Sequence, residues 1–520
     1  MSSMSQKIPH FLFSAFPSWG HVRSFCNLAA RIVKDNDSSF VTLLLTPNLL
    51  NRAKDELEVE FKGKASESVV RRSSCTRILA LFHSESQHPL ELFEPHAKAY
   101  AAAYSDLLQS KAVTCGMTKS VFDAAPPPNV VVLDTVAYPL FQITRAVTGK
   151  SVPIISWITG HVSSVIRFNG LERLGGLGDI GAKIDAEAAH LGVTAKDIGD
   201  SLWDTSNGTV IKVPGLTEMY DWEYFPQKLP FDIILSDFLR LSYAGLRESD
   251  AGFVTSAYVF EAESMEAIKS WFSEWNQDIY IIGPLLPTGY GIDEESDRGS
   301  KETSDFLQKS LVEYGENSVM LISFGTVYWP AVQDYIEEVI EALIEKKFPF
   351  ILCYASPFAT LSDELIERIR SSGIGLVSKW SPQQYILNHP ATGWFVSHCG
   401  HNSTMESLGS GTPVICWPFH ADQPMGAAHI SEDLKVGLEL VEVRTGDRGI
   451  KPLKRDRRQA KGTREAVGVE IRQVIDDCRG EKGKILQKNA AEMKAKLAGV
   501  WLDGGDSKKD FEAFLAKYGF

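Results

Sequence analysis

Short apolar runs alternate with helix-like stretches along most of this chain, and that rhythm permits few folds. Such alternation is the pattern of a parallel sheet covered on both faces by helices. In the first half the strand-like runs are His10 to Phe16, Phe40 to Thr46, Val130 to Asp134, Pro153 to Trp157, Phe253 to Ser256 and Tyr280 to Ile282. The second half repeats the rhythm at Val319 to Phe324, Phe350 to Tyr354, Gly375 to Ser378, Gly393 to Val396, Val414 to Cys416 and Leu438 to Val441. Between Gly160 and Ser249 it breaks into Gly-rich and mixed segments, the kind of insertion that lines a binding cleft. Pro284 to Ser304, with its prolines, glycines and the acidic run Asp293-Glu294-Glu295, reads as a linker. The expected class is therefore α/β, with doubly wound domains at residues 1–285 and 305–500 joined by 286–304. Two such sheets facing each other put a cleft at the carboxyl ends of their strands.

A chain of 520 residues is long enough for two such cores. Its net charge of -13 argues against a nucleic-acid partner, since polyanions are bound by basic surfaces. The locally basic stretch Arg444 to Arg464 reads as a solvated loop before a helix. Seven scattered cysteines without a C-x-x-C pair suit reduced thiols and a cytoplasmic protein. The apolar start, Ile8 to Trp19, contains Pro9 and Pro17 and reads as a first strand rather than a secretion signal. No later run approaches the ~20 apolar residues that span a bilayer.

Two short motifs mislead. Gly176 to Gly181 spells the dinucleotide fingerprint GxGxxG, yet it follows no strand and reads as a flexible loop. Asp35-Asn36-Asp37 spells DxD, but it falls in the turn before the second strand, where capping is the simpler role. No His, Cys and Asp cluster has metal-ligand spacing, so no metal and no cofactor are expected.

The richest chemistry lies between Trp380 and Gln423, a stretch of 44 residues. Trp380 can stack on a uracil. Ser397-His398-Cys399-Gly400-His401-Asn402-Ser403 ends one strand-like run and opens a helix-like one, Ser403 to Leu408, where free backbone N–H groups attract a diphosphate. Glu406, in the first turn of that helix, can accept from both ribose hydroxyls. Asp422-Gln423 offers acceptors and donors for sugar hydroxyls. Each piece alone has an ordinary structural reading; the ordered set does not. This stretch resembles the signature box of family 1 UDP-sugar-dependent glycosyltransferases of plant and fungal type. It departs from the plant-type box at His401, where Trp is usual.

The resemblance implies the two-domain GT-B architecture, with the acceptor held by the first half and the donor by the second. It also implies that a last helix within 501–520, near Lys508 to Lys517, crosses back onto the N-terminal domain. Ser323, Gly325 and Thr326 end the first strand of the second half, where small residues let a phosphate or ribose approach; an ordinary strand-to-helix turn reads equally well. With Gln383 they complete an expected donor set of Ser323, Gly325, Thr326, Trp380, Gln383, His398, Gly400, Asn402, Ser403, Glu406, Asp422 and Gln423.

His21 ends the run Ala15 to Gly20 and starts a helical stretch, Val22 to Val33, so it sits at the cleft mouth. Imidazole is the natural base near neutral pH, and a helix start opposes its protonation. Alone, such a His is as readily a cap or surface residue. In the family the catalytic His occupies this strand-end Gly-His position, and the Asp that orients it matches Asp134. The implied activity is an inverting, metal-independent hexosyl transfer, with glucose from UDP-glucose passing to a hydroxyl of a lipophilic small molecule. Leu92, Phe93, Phe168, Trp203, Trp222 and Phe225 are the expected acceptor-side residues. A nicotinamide-dependent oxidoreductase would need glycines after the first strand, and Phe13 to His21 holds only Gly20.

Overall fold

The computed structural model describes residues 8–36, 38–61, 75–229, 235–290 and 301–520. The first half builds a seven-stranded sheet from β1 (His10–Ser14), β2 (Phe40–Leu45), β3 (Thr76–Ala80), β4 (Val130–Asp134), β5 (Ile154–Ile158), β6 (Ala251–Val254) and β7 (Asp278–Ile281). They pair in parallel in the order β7-β6-β5-β4-β1-β2-β3. Phe11, Leu12 and Phe13 are fully buried, as expected of a central strand covered on both faces.

The second half builds a six-stranded parallel sheet from β8 (Val319–Ser323), β9 (Phe350–Cys353), β10 (Gly375–Ser378), β11 (Thr392–Ser397), β12 (Val414–Cys416) and β13 (Gly437–Glu439). Its order is β10-β9-β8-β11-β12-β13. Both sheets therefore reverse winding once, between β1 and β4 in the first and between β8 and β11 in the second. At such a reversal the loops after the two strands diverge and leave a crevice.

The helices that matter to the site are α1 (Trp19–Asp35), α2 (Leu50–Phe61), α3 (Val162–Asn169), α4 (Ile180–Leu191), α5 (Leu235–Glu248), α6 (His401–Ser410), α7 (Gln423–Ala428) and α8 (Asp506–Tyr518). α8 lies on the first sheet. Phe514 packs 4.6 Å from Phe253 between ring centroids, and Asp510 accepts from Ile281 N at 2.7 Å and from Lys269 Nζ at 3.0 Å.

Several expectations need correcting. β3 was not anticipated, although Ile78 to Phe82 is an unbroken apolar run; Arg77 ahead of it is buried and donates to Thr42 Oγ1 at 3.1 Å. Gly176 to Asp179 is a loop, as expected, but one held by backbone hydrogen bonds, and it leads into α4, which Asp179 caps by accepting from Ala182 N at 2.9 Å. A 3₁₀ turn, not a strand, precedes it.

Arg444 to Arg464 is largely a loop before a helix, exposed at Asp456 to Gln459, but it is not solvated throughout. Arg444 is 1% exposed and donates to Glu439 at 2.6 Å, and Arg455 meets the same carboxylate at 2.5 Å. The segment packs along the irregular insertion: Trp222 Nε1 donates to Pro452 O at 3.0 Å, and Lys454 N to Glu223 at 2.8 Å. The acidic run of the expected linker and Asp37 of the DxD motif lie outside the described residues.

Candidate active site

The two reversal points open on one cavity of about 770 Å³, and all fourteen residues expected for catalysis and donor binding line it. His21 and Asp134 follow from β1 and β4. Ser323, Gly325, Thr326, His398, Gly400, Asn402 and Ser403 follow from β8 and β11.

His21 Nδ1 lies 2.6 Å from Asp134 Oδ2. Asp134 is fully buried and also accepts from Phe16 N at 3.2 Å and Val136 N at 3.3 Å. The carboxylate thus fixes the ring: Nδ1 carries the proton it donates, and Nε2 is the nitrogen left for a substrate. Trp157 Nε1 donates to the carbonyl of His21 at 3.2 Å and steadies the helix start. Burial and the start of α1 both oppose protonation, yet Asp134, with Asp422 as a weaker second charge, outweighs them. The pKa of His21 is raised, so the ring is a stronger base than its helix position alone would make it.

On the opposite wall, Gly400 caps α6, whose first turn presents free N–H groups to the cavity. The helix starts at His401, earlier than expected, so Glu406 falls in the second turn. His398 sits against two glycines. A Cβ on Gly400 would come within 2.6 Å of His398 Nε2, and one on Gly325, where φ is 75°, within 3.0 Å of the ring. Burial pushes His398 down to about 4, so it is neutral and offers a hydrogen bond rather than a charge. Its buried Nδ1 has no partner among the described residues.

Trp380 is 63% exposed at the cavity rim, an unusual place for a large aromatic ring and one suited to stacking. Gln383 Nε2 reaches Ser403 Oγ at 3.2 Å and Glu406 Oε2 at 2.7 Å. Asn402 does more than face the cavity, since its Nδ2 donates across it to Gly20 O at 2.7 Å. Gln423 also differs from expectation. Its carbonyl oxygen already accepts from Phe419 N at 2.9 Å and His420 N at 3.3 Å, so only the amide nitrogen remains for other partners. Asp422, at the start of α7, has its pKa raised by burial against the opposing pull of His161 and His21.

Sequence reasoning missed Arg23, Tyr328 and Asn169. Arg23 follows His21 by two residues, and its contacts are all long-range. Tyr328, in the loop after Thr326, hydrogen-bonds Gln423. Asn169 is 4% exposed, lines the cavity, and has a buried Oδ1 without a partner.

The apolar wall beyond His21 comes from Phe16, Val165, Phe168, Phe238, Leu239 and Leu246. Of the six residues expected there, only Phe168 lines the cavity. Leu92 is buried in the core, and Phe93 packs behind Phe16 at 5.7 Å. Trp203 and Phe225 form a buried cluster with Met425 and Ala428. Trp222 lies under Lys451, whose Nζ is 4.9 Å from the ring. Aromatic content in an insertion does not say which face it serves. Among the described residues, no three or more His, Cys, Asp or Glu side chains are grouped to hold a metal.

The family described as UDP-glucoronosyl and UDP-glucosyl transferase matches residues 257–445. The chain is 28% identical to UDP-glycosyltransferase eriJ of Hericium erinaceus, over 98% of this chain and 99% of that one. It is 32% identical to UDP-glycosyltransferase 84A1 of Arabidopsis thaliana, over 46% of this chain and 47% of the relative, about half of each. Its fold matches Medicago truncatula UGT71G1 complexed with UDP-glucose, with a TM-score of 0.67 at 19% identity over 98% of both chains. With GT-B domains facing across one cavity, these likenesses support a family 1 UDP-glycosyltransferase, and the chain is a glycosyltransferase.

Proposed function

We propose that the protein transfers glucose from UDP-glucose to a hydroxyl of a lipophilic small molecule, with inversion and without a metal. His21 Nε2 takes the proton of the acceptor hydroxyl, and Asp134 stabilises the imidazolium that forms. The acceptor oxygen bonds to the anomeric carbon as the carbon–oxygen bond to the diphosphate breaks on the opposite face. UDP leaves with the electron pair, and an α-linked donor yields a β-glycoside.

One observation carries this reading: the His21–Asp134 pair and the N-terminus of α6 open on the same cavity. The first supplies the base and the second a place for leaving-group charge, to which neutral His398 adds a donor. The exposed ring of Trp380 supports a stacked uracil. Asp422 and Gln423 support a hexose, and the Medicago relative was crystallised with UDP-glucose. The apolar wall favours a lipophilic acceptor, and Asn169 Oδ1, without a partner among the described residues, offers such a molecule one acceptor. Seven buried free cysteines fit a reducing, cytoplasmic setting, and among the described residues no helix is long and apolar enough to cross a membrane. Incubating the purified protein with UDP-glucose and a panel of phenols and alcohols tests the proposal. A β-glucoside product supports it, and an α-glucoside or no transfer from any UDP-hexose contradicts it.

A further inference from the structure

Arg23 stands on α1, two residues past the proposed base, and its side chain crosses the cleft. Nη1 donates to Glu406 Oε1 on α6, while Nε reaches Glu56 on α2 at 3.4 Å. Glu406 is 2% exposed. A buried carboxylate without a cation is costly, and here it shares a cavity with the helix end offered to an anionic diphosphate. Arg23 offsets that charge. Burial works against the guanidinium, but Glu406 and Glu56 outweigh it and keep Arg23 protonated.

Hydrogen-bond capacity sharpens the point. A carboxylate oxygen accepts about two hydrogen bonds. Glu406 Oε1 holds Arg23 and Gln384, the latter at 3.2 Å, and is full. Among the described residues Oε2 holds Gln383 alone, at 2.7 Å, so one position is left. Glu406 as it stands thus has room for one ribose hydroxyl, not both.

We infer that Arg23 is a positioning residue for the donor: it neutralises Glu406 and pins Oε1, so that the free position on Oε2 faces the ribose. This rests on the proposed reading of Glu406 as the ribose acceptor. The same arm ties the donor's anchor to the helix that carries His21, beside the Asn402–Gly20 contact at 2.7 Å. Lysine would keep the charge, but it lacks the planar fork that spans Glu406 and Glu56 together.

The test compares UDP with 2′,3′-dideoxy-UDP by isothermal titration on the full chain, for wild type, Arg23→Met, Arg23→Lys, Glu406→Gln and the Arg23→Met/Glu406→Gln double variant. Wild type is expected to prefer UDP by at least about tenfold. In Arg23→Met the preference should fall to about twofold or less, with Arg23→Lys intermediate, and donor affinity should fall more than kcat. The double variant should bind UDP no more than about twofold worse than Glu406→Gln alone, because both changes remove one interaction. An Arg23→Met preference equal to wild type, or losses that multiply in the double variant, would overturn the role of Arg23. A wild-type ratio near one would instead remove Glu406 as the ribose acceptor, and the inference with it.

Discussion

His21, at the start of the helix that follows β1, and Asp134, the last residue of the neighbouring strand β4, are 113 positions apart in the chain, and their side chains meet at 2.6 Å. The contact exists because the sheet reverses direction between those two strands. Loops after neighbouring strands then leave the same edge, and residues at the two strand ends converge.

The pH dependence of turnover follows from that contact. In the proposed mechanism neutral imidazole is the active base, so kcat/KM is expected to fall as pH falls through a pKa above the ordinary 6.5 of His21. Asp134→Asn removes the charge that favours imidazolium, so the inflection moves to lower pH. Its plateau should drop less than that of His21→Ala, because only orientation and charge support are lost. A profile for Asp134→Asn that moves upward or stays fixed contradicts the assignment.

Gly400→Ala tests the seat of His398. The backbone there has φ of -63° and tolerates alanine, so the cost is steric: the new methyl group would lie 2.6 Å from His398 Nε2. Displacing that ring by about 1 Å is expected to lower kcat/KM for UDP-glucose by roughly ten- to hundredfold. Circular dichroism and melting temperature should change little. Unchanged kcat/KM would mean that His398 is not a donor to the leaving group.

Much of this arrangement was legible before the structure. Apolar periodicity located twelve of the thirteen strands of the two large sheets; β3, which opens on the polar pair Thr76-Arg77, escaped. The site was legible where chemistry and local order coincide, as in Trp380 to Gln423 and Gly20-His21. It was not legible where the decisive fact is a long-range contact. Arg23 looks like any helix residue until Glu406 is seen across the cleft, 383 positions later in the chain. The basic stretch from Arg444 misled for the same reason, since its partner carboxylates Glu223 and Glu439 lie on other elements. Trp203, Trp222 and Phe225 were right in type but wrong in direction.

Donor choice should follow Asp422. A carboxylate accepts from adjacent sugar hydroxyls and repels a second carboxylate, and His420, Ala421 and Pro424 supply no cation beside it. In competition at equal concentrations, UDP-glucose is expected to exceed UDP-glucuronate by about tenfold or more, and Asp422→Asn should narrow that gap. A preference for UDP-glucuronate would remove Asp422 and Gln423 from the sugar site while leaving the uracil and phosphate contacts standing.

Metal removal is expected to leave activity within a factor of about two after exhaustive EDTA treatment, because in the proposed mechanism helix N–H groups and neutral donors stabilise the departing diphosphate. Full loss restored by manganese or magnesium would contradict that account.

The central claim is that His21 is the base, and its most direct test is His21→Ala assayed with a weakly acidic alcohol acceptor. An acidic phenol would be a poor choice, since it needs little help to lose its proton. Turnover is expected to fall by at least ~100-fold, with UDP affinity by titration near wild type, because the ring acts on the acceptor and not on the nucleotide. Turnover within a few-fold of wild type with that alcohol would show that another group takes the proton.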